Sequence, residues 1–73
     1  MKIIYEQGDI FKYDNDYYII ACIGGNTYTL ISIVDGSNFD SNITGDINYI
    51  NSCIEVEDLV YIASAREIIN INN

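Results

Sequence analysis

The sequence predicts a mainly β fold: a small SH3-like antiparallel barrel of five to six short strands, with one short helix in its C-terminal half. Three observations lead there. Segments rich in Ile, Tyr, Val and Thr recur at short, even intervals, which is strand composition. Gly and Asx clusters separate them at hairpin-length spacings. Sixteen Ile in a chain of 73 residues would template edge-to-edge association from open, flat strands, and closure removes the edges. Folding at this length removes only about 60% of the unfolded surface, so residues 1–73 read as one domain with one core.

The elements follow in order. A first strand is expected across Lys2 to Tyr5, with Gly8 as a break, and a second across Asp9 to Tyr13. Asp14-Asn15-Asp16 reads as a turn, because short Asx side chains bond their own backbone and tolerate left-handed geometry. Tyr17 to Ile23 is a strand apolar on both faces, as expected of one buried on both sides or covered by a partner. Gly24-Gly25-Asn26 turns the chain and Thr27 to Val34 returns it, which makes a hairpin. Asp35-Gly36-Ser37-Asn38 is a second turn before a strand near Phe39 to Thr44, and Ile47 to Ile50 reads as a short strand or a loop with buried anchors.

After Asn51 the period changes. Ser52 and Glu55 have capping-box spacing, and Val56, Leu59, Val60 and Ala63 share one helical face, which predicts a helix from about Cys53 to Ala63. Glu55, Glu57 and Asp58 would then complement the positive end of its dipole. Strand propensity across the same residues supplies the competing reading. Arg66 to Ile71 returns to strand composition and would close the sheet.

Charge and composition exclude several functions. Three basic against eleven acidic residues leave a net charge of −8. Lys2, Lys12 and Arg66 are too scattered to neutralise a run of phosphates or to hold an anionic membrane. A field of this sign favours a basic partner. The longest apolar run, Tyr17 to Ile23, is far below the roughly 20 residues of a membrane span. Met1 to Glu6 is too short for a secretory signal, so a cytoplasmic product is expected. Cys22 and Cys53 then read as free thiols.

No catalytic constellation can be assembled. The chain has no His, the usual base for a Ser or Cys nucleophile, and two Cys are too few for a structural zinc site. Gly24-Gly25 lacks the spacing of a phosphate loop. Asn38-Phe39-Asp40-Ser41-Asn42 starts like a calcium loop but fails, with Ile43 where Gly is required and Tyr49 where the bidentate Glu belongs. The expectation is a binding protein with no enzyme activity, no cofactor and no metal. Seven Tyr exceed what so small a core can bury with every hydroxyl satisfied, so several should lie at the surface, where Tyr offers wide contact area at little entropic cost. A homo-oligomer fits, with one face of Tyr17 to Ile23 buried by a second copy.

The strings Gly8-Asp9-Ile10-Phe11, Tyr17-Tyr18-Ile19-Ile20-Ala21, Tyr28-Thr29-Leu30-Ile31-Ser32-Ile33 and Asp35-Gly36 resemble those of small phage-encoded proteins of SH3-like barrel type, over roughly residues 8–39 and, more loosely, the expected helix and last strand near Glu55 to Ile71. In that group a basic, aromatic segment tends to follow the Asp-Gly turn; here Ser37-Asn38-Phe39 carries no base. The resemblance implies an accessory anti-defence protein in the cytoplasm of an infected bacterial host cell. One expected mechanism is an acidic inhibitor that occludes a basic surface of an immune effector with Asp14, Asp16, Asp35, Asp40, Asp46, Glu55, Glu57 and Asp58. The alternative is an oligomeric sponge that sequesters a cyclic-nucleotide signal through Arg66, Lys12, Tyr17 and Tyr28. A structural or interaction module is the third reading.

Overall fold

In the computed structural model, which describes residues 4–70 and only the backbone of 68–70, five antiparallel strands form one sheet accompanied by two short helices. The chain runs β1 (Asp9–Tyr13), β2 (Asp16–Gly24), β3 (Thr27–Ser32), β4 (Thr44–Gly45), α1 (Ile47–Val56), β5 (Val60–Ser64) and α2 (Ala65–Asn70). The order across the sheet is β4-β3-β2-β1-β5. The mainly β expectation holds. Among the described residues no ladder joins β4 to β5, so the sheet keeps two edges where a closed barrel has none.

Both hairpins lie where the Asx and Gly clusters place them. Tyr13 faces Asp16 across a two-residue loop, and Gly24 faces Thr27. Gly25 in the second turn has φ +50°, a conformation a residue without Cβ adopts freely. β3 stops at Ser32, two residues before the expected end. There the Ser32 N–H donates to the Ser37 carbonyl at 2.7 Å, while the Ser32 hydroxyl accepts the Val34 N–H at 3.1 Å. These bonds turn the chain and end the ladder. The strand expected near Phe39 to Thr44 shrinks to Thr44–Gly45 and one bridge at Asn38. The Asp40 carboxylate accepts the Asn42 N–H at 2.9 Å, an Asx turn that diverts the backbone from pairing.

The helix is displaced from its expected position. α1 starts at Ile47, which overturns both the strand-or-loop reading of Ile47 to Ile50 and the capping box at Ser52. Asp46 is the N-cap, its carboxylate accepting the Tyr49 N–H at 2.9 Å. Ser52 sits mid-helix and donates to the Asn48 carbonyl at 3.1 Å. Ile47, Ile50 and Ile54 form the stripe that meets the sheet, whereas Val56, expected on the buried face, is 79% exposed.

A Schellman motif ends α1. The Leu59 N–H donates to the Ile54 carbonyl at 3.1 Å and the Asp58 N–H to the Glu55 carbonyl at 3.3 Å, with Asp58 left-handed at φ +60°. Leu59 packs back into the core beside Ile54. The reversal lays Val60–Ser64 along the open side of β1, so these residues form a strand and not the second half of a helix. Arg66 to Asn70 is likewise helical and not strand, with the Ser64 hydroxyl accepting the Arg66 N–H at 3.3 Å at the start of α2. Of the first expected strand, Lys2 and Ile3 lie outside the described residues, as does Ile71 at the other end. Ile4 and Tyr5 are not in a strand. Instead Asn51 of α1 clamps the Tyr5 backbone, accepting its N–H at 2.7 Å and donating to its carbonyl at 3.0 Å.

The core lies between α1 and one sheet face. Phe11, Ile20, Leu30, Ile43, Ile50, Ile54 and Leu59 are buried there, with Tyr5, Tyr18, Tyr28 and Phe39 packed against them. Each fully buried large apolar side chain contributes about 1.5–3 kcal/mol. Packing at β4 is close enough that a Cβ on Gly45 would lie 2.8 Å from the Tyr49 ring.

Candidate functional site

Register decides which carboxylates share a surface. β1 ends at Tyr13 opposite Asp16, and β5 begins at Val60 opposite Lys12. β3 ends at Ser32 beside the start of β2, where the Ile33 N–H donates to the Tyr17 carbonyl at 2.9 Å. These contacts gather Asp14, Asp16, Asp35 and Asp58 at one end of the sheet. Glu55 and Glu57 lie beside Asp58, at the C-terminal end of α1. Six of the eight expected carboxylates therefore come to one end of the molecule. Asp46 does not join them: it follows Gly45, which pairs with Tyr28 near the opposite end of β3. Asp40 lies in the loop between, occupied by its own turn.

The position of the last three acids reverses the expectation. Glu55, Glu57 and Asp58 stand at the negative end of the α1 dipole, not the positive one, and no basic residue accompanies them in the last turn. Each such charge costs about 0.3–1 kcal/mol at low ionic strength. Among the described residues, Asp14 and Asp58 are also the two non-glycine ones with left-handed φ, at 58° and 60°. Helix field and side-chain charge therefore add, and the electronegative end is built against local stability. Departures of this kind concentrate at functional sites.

Asp16 and Asp35 also hold structure. Asp16 accepts from the Ser32 hydroxyl at 3.0 Å, and Asp35 from the Ser37 N–H and hydroxyl at 2.9 and 2.7 Å. The Ser37 bonds keep the Asp35 carboxyl below its ordinary pKa of 3.8. Beside them stands an aromatic group that the sequence did not mark as a unit. The Phe39 ring meets Tyr13 and Tyr18 edge to face, with centroids 5.0 Å apart in both pairs. Burial, then the negative charge of Asp16, raises the Tyr18 phenol above 10.0. Phe39 could have been recognised from its place just after the Asp-Gly turn. The pairing could not, since it depends on the loop folding back over β1 and β2. The surface Tyr expected from the count are Tyr13, Tyr17, Tyr49 and Tyr61.

The residues proposed for a nucleotide separate into two pairs. Lys12 faces Tyr17 at the acidic end of β1. Arg66 and Tyr28 line a cleft of about 780 Å³ at the other end, with Gly8, Ile19 and Ile47. Arg66 is already engaged, donating to Glu6 at 3.0 Å, to Asp9 at 2.8 Å and through Nε to Ser64 at 3.0 Å. Burial opposes the charge of Arg66, but the Glu6 hydrogen bond and the Asp9 field outweigh it and raise its pKa. Asp9 is buried and paired, so this network ties the start of β1 to the start of α2. No signal in the sequence pointed to it, since 57 residues separate Asp9 from Arg66. Cys22 is exposed at the β2–β3 hairpin and Cys53 half-buried on α1, and both are free.

Among the described residues no group of three or more His, Cys, Asp or Glu is placed to hold a metal ion, and no helix is long and apolar enough to cross a membrane. Compared with protein-family models, curated proteins and solved structures, the chain has no significant match.

Proposed function

We propose that the protein is a non-enzymatic inhibitor that docks its carboxylate-rich end onto a basic surface of another protein and occludes it. The observation that carries this reading is the convergence of Asp14, Asp16, Asp35, Glu55, Glu57 and Asp58 at the negative pole of α1, at a cost to local stability. Such a field speeds encounter with a basic partner and disfavours acidic ones. The exposed Tyr13 and the Phe39 ring behind it supply apolar contact at its border. The resemblance to small phage-encoded proteins supplies the partner class: a host immune effector whose basic surface normally holds nucleic acid. The sponge reading has less support, because two carboxylates already neutralise Arg66.

The test uses the carboxylates that hold no turn. Combining Asp14→Asn, Glu55→Gln, Glu57→Gln and Asp58→Gly should weaken inhibition of a nucleic-acid-binding effector by at least about tenfold and flatten its dependence on salt. Asp58→Gly and the lost helix-pole repulsion favour the fold, so weaker binding would not reflect unfolding. Undiminished inhibition by this variant would refute occlusion.

A further inference from the structure

We infer that the sheet face turned away from α1 is the contact surface for a second copy of this chain. β2 is apolar on both faces, and α1 covers only the one bearing Tyr18 and Ile20. On the other face the ladders align Ile31, Ile19, Ile10 and Ala63 in a row across four strands. Beside it runs a second row of Ile33, Tyr17, Lys12 and Val60. Ile31, Ile19, Ile10 and Ala63 are half-buried, while Ile33, Tyr17 and Val60 are exposed.

Charge selects the occupant. The chain carries eleven acids, yet the outward positions of β1, β2, β3 and β5 hold no carboxylate, and Lys12 is their one charge. This is the surface on which two molecules of net charge −8 can meet with their carboxylates kept at the rim. A two-fold contact is self-complementary, and an apolar face matched to itself needs no partner charges. The extent also fits. Strands of five, nine, six and five residues about 4.8 Å apart offer roughly 400 Å² of face per copy, the size of a weak, concentration-dependent contact. An apolar patch of this size matches the largest that a typical monomer shows, which is often a functional surface. The inference stands without the inhibitor reading.

Light scattering across a concentration series, coupled to size exclusion, tests it. The parent should run at twice the 8.3 kDa chain mass, and the double variant Ile33→Lys with Tyr17→Lys at the single-chain mass. Both positions are exposed, so circular dichroism should show an unchanged fold. Val56→Lys on the solvent side of α1 should remain dimeric. A parent monomeric at every concentration overturns the inference, as does a double variant that stays dimeric or a Val56→Lys that dissociates equally.

Discussion

Asp58 is held in a left-handed conformation in the position that closes a Schellman motif, where glycine is the ordinary occupant. Its Cβ costs backbone energy that glycine avoids, and its charge faces the negative pole of α1. Asp58→Gly should therefore raise stability by about 1 kcal/mol. Urea titration should show a higher midpoint with an unchanged slope. A loss of stability would mean that the Asp58 carboxylate makes a contact beyond those described. Asp14 shows the same conflict in a two-residue hairpin loop, where its left-handed φ again places a carboxylate in a glycine-like geometry.

At the scale of elements, α1 distinguishes two capping schemes. Asp46 accepts the Tyr49 N–H, so Asp46→Ala should cost about 1 kcal/mol. Ser52 bonds only the carbonyl one turn behind it, so Ser52→Ala should leave stability unchanged or raise it by up to about 0.5 kcal/mol. Thermal melts of the two variants decide between the helix starts, and equal losses would contradict the Asp46 cap. The signal for this start was present in the sequence: Asp46 followed by Ile47, Ile50 and Ile54 has cap and stripe together. Val56, Leu59, Val60 and Ala63 share a competing helical spacing that ends in a strand. Local periodicity could not separate them, because Ile and Val suit either element. β1 and β2 were legible because Gly and Asx set their limits directly.

At the scale of the whole molecule, a single small core carries the fold. A domain of 73 residues has a total stability of about 4–11 kcal/mol, and Ile50 is wholly buried between α1 and the sheet. Ile50→Ala should cost about 2–5 kcal/mol, a large part of that total. Val56→Ala on the exposed side of the same helix should stay within about 0.5 kcal/mol. Urea midpoints for the pair measure the difference, and equal losses would place the core elsewhere. The two sheet edges are managed differently. β4 is two residues long and leads straight into α1, whereas β5 pairs with β1 through a register shift near Ile62.

What the sequence determined by itself is whatever short-range chemistry specifies: strand composition, hairpin turns at Gly and Asx, a strand apolar on both faces, a strong negative charge and a surplus of surface Tyr. Tertiary structure alone decided that Val60–Ser64 pairs with β1 and that Arg66 joins Glu6 and Asp9. It also decided which carboxylates share a surface. The reason is distance along the chain. A turn or a cap is set by residues within three or four positions, whereas Asp14 and Asp58 come together only because β5 returns antiparallel to β1. That pairing is chosen by the open edge of β1 and the burial of Leu59, which no local window contains.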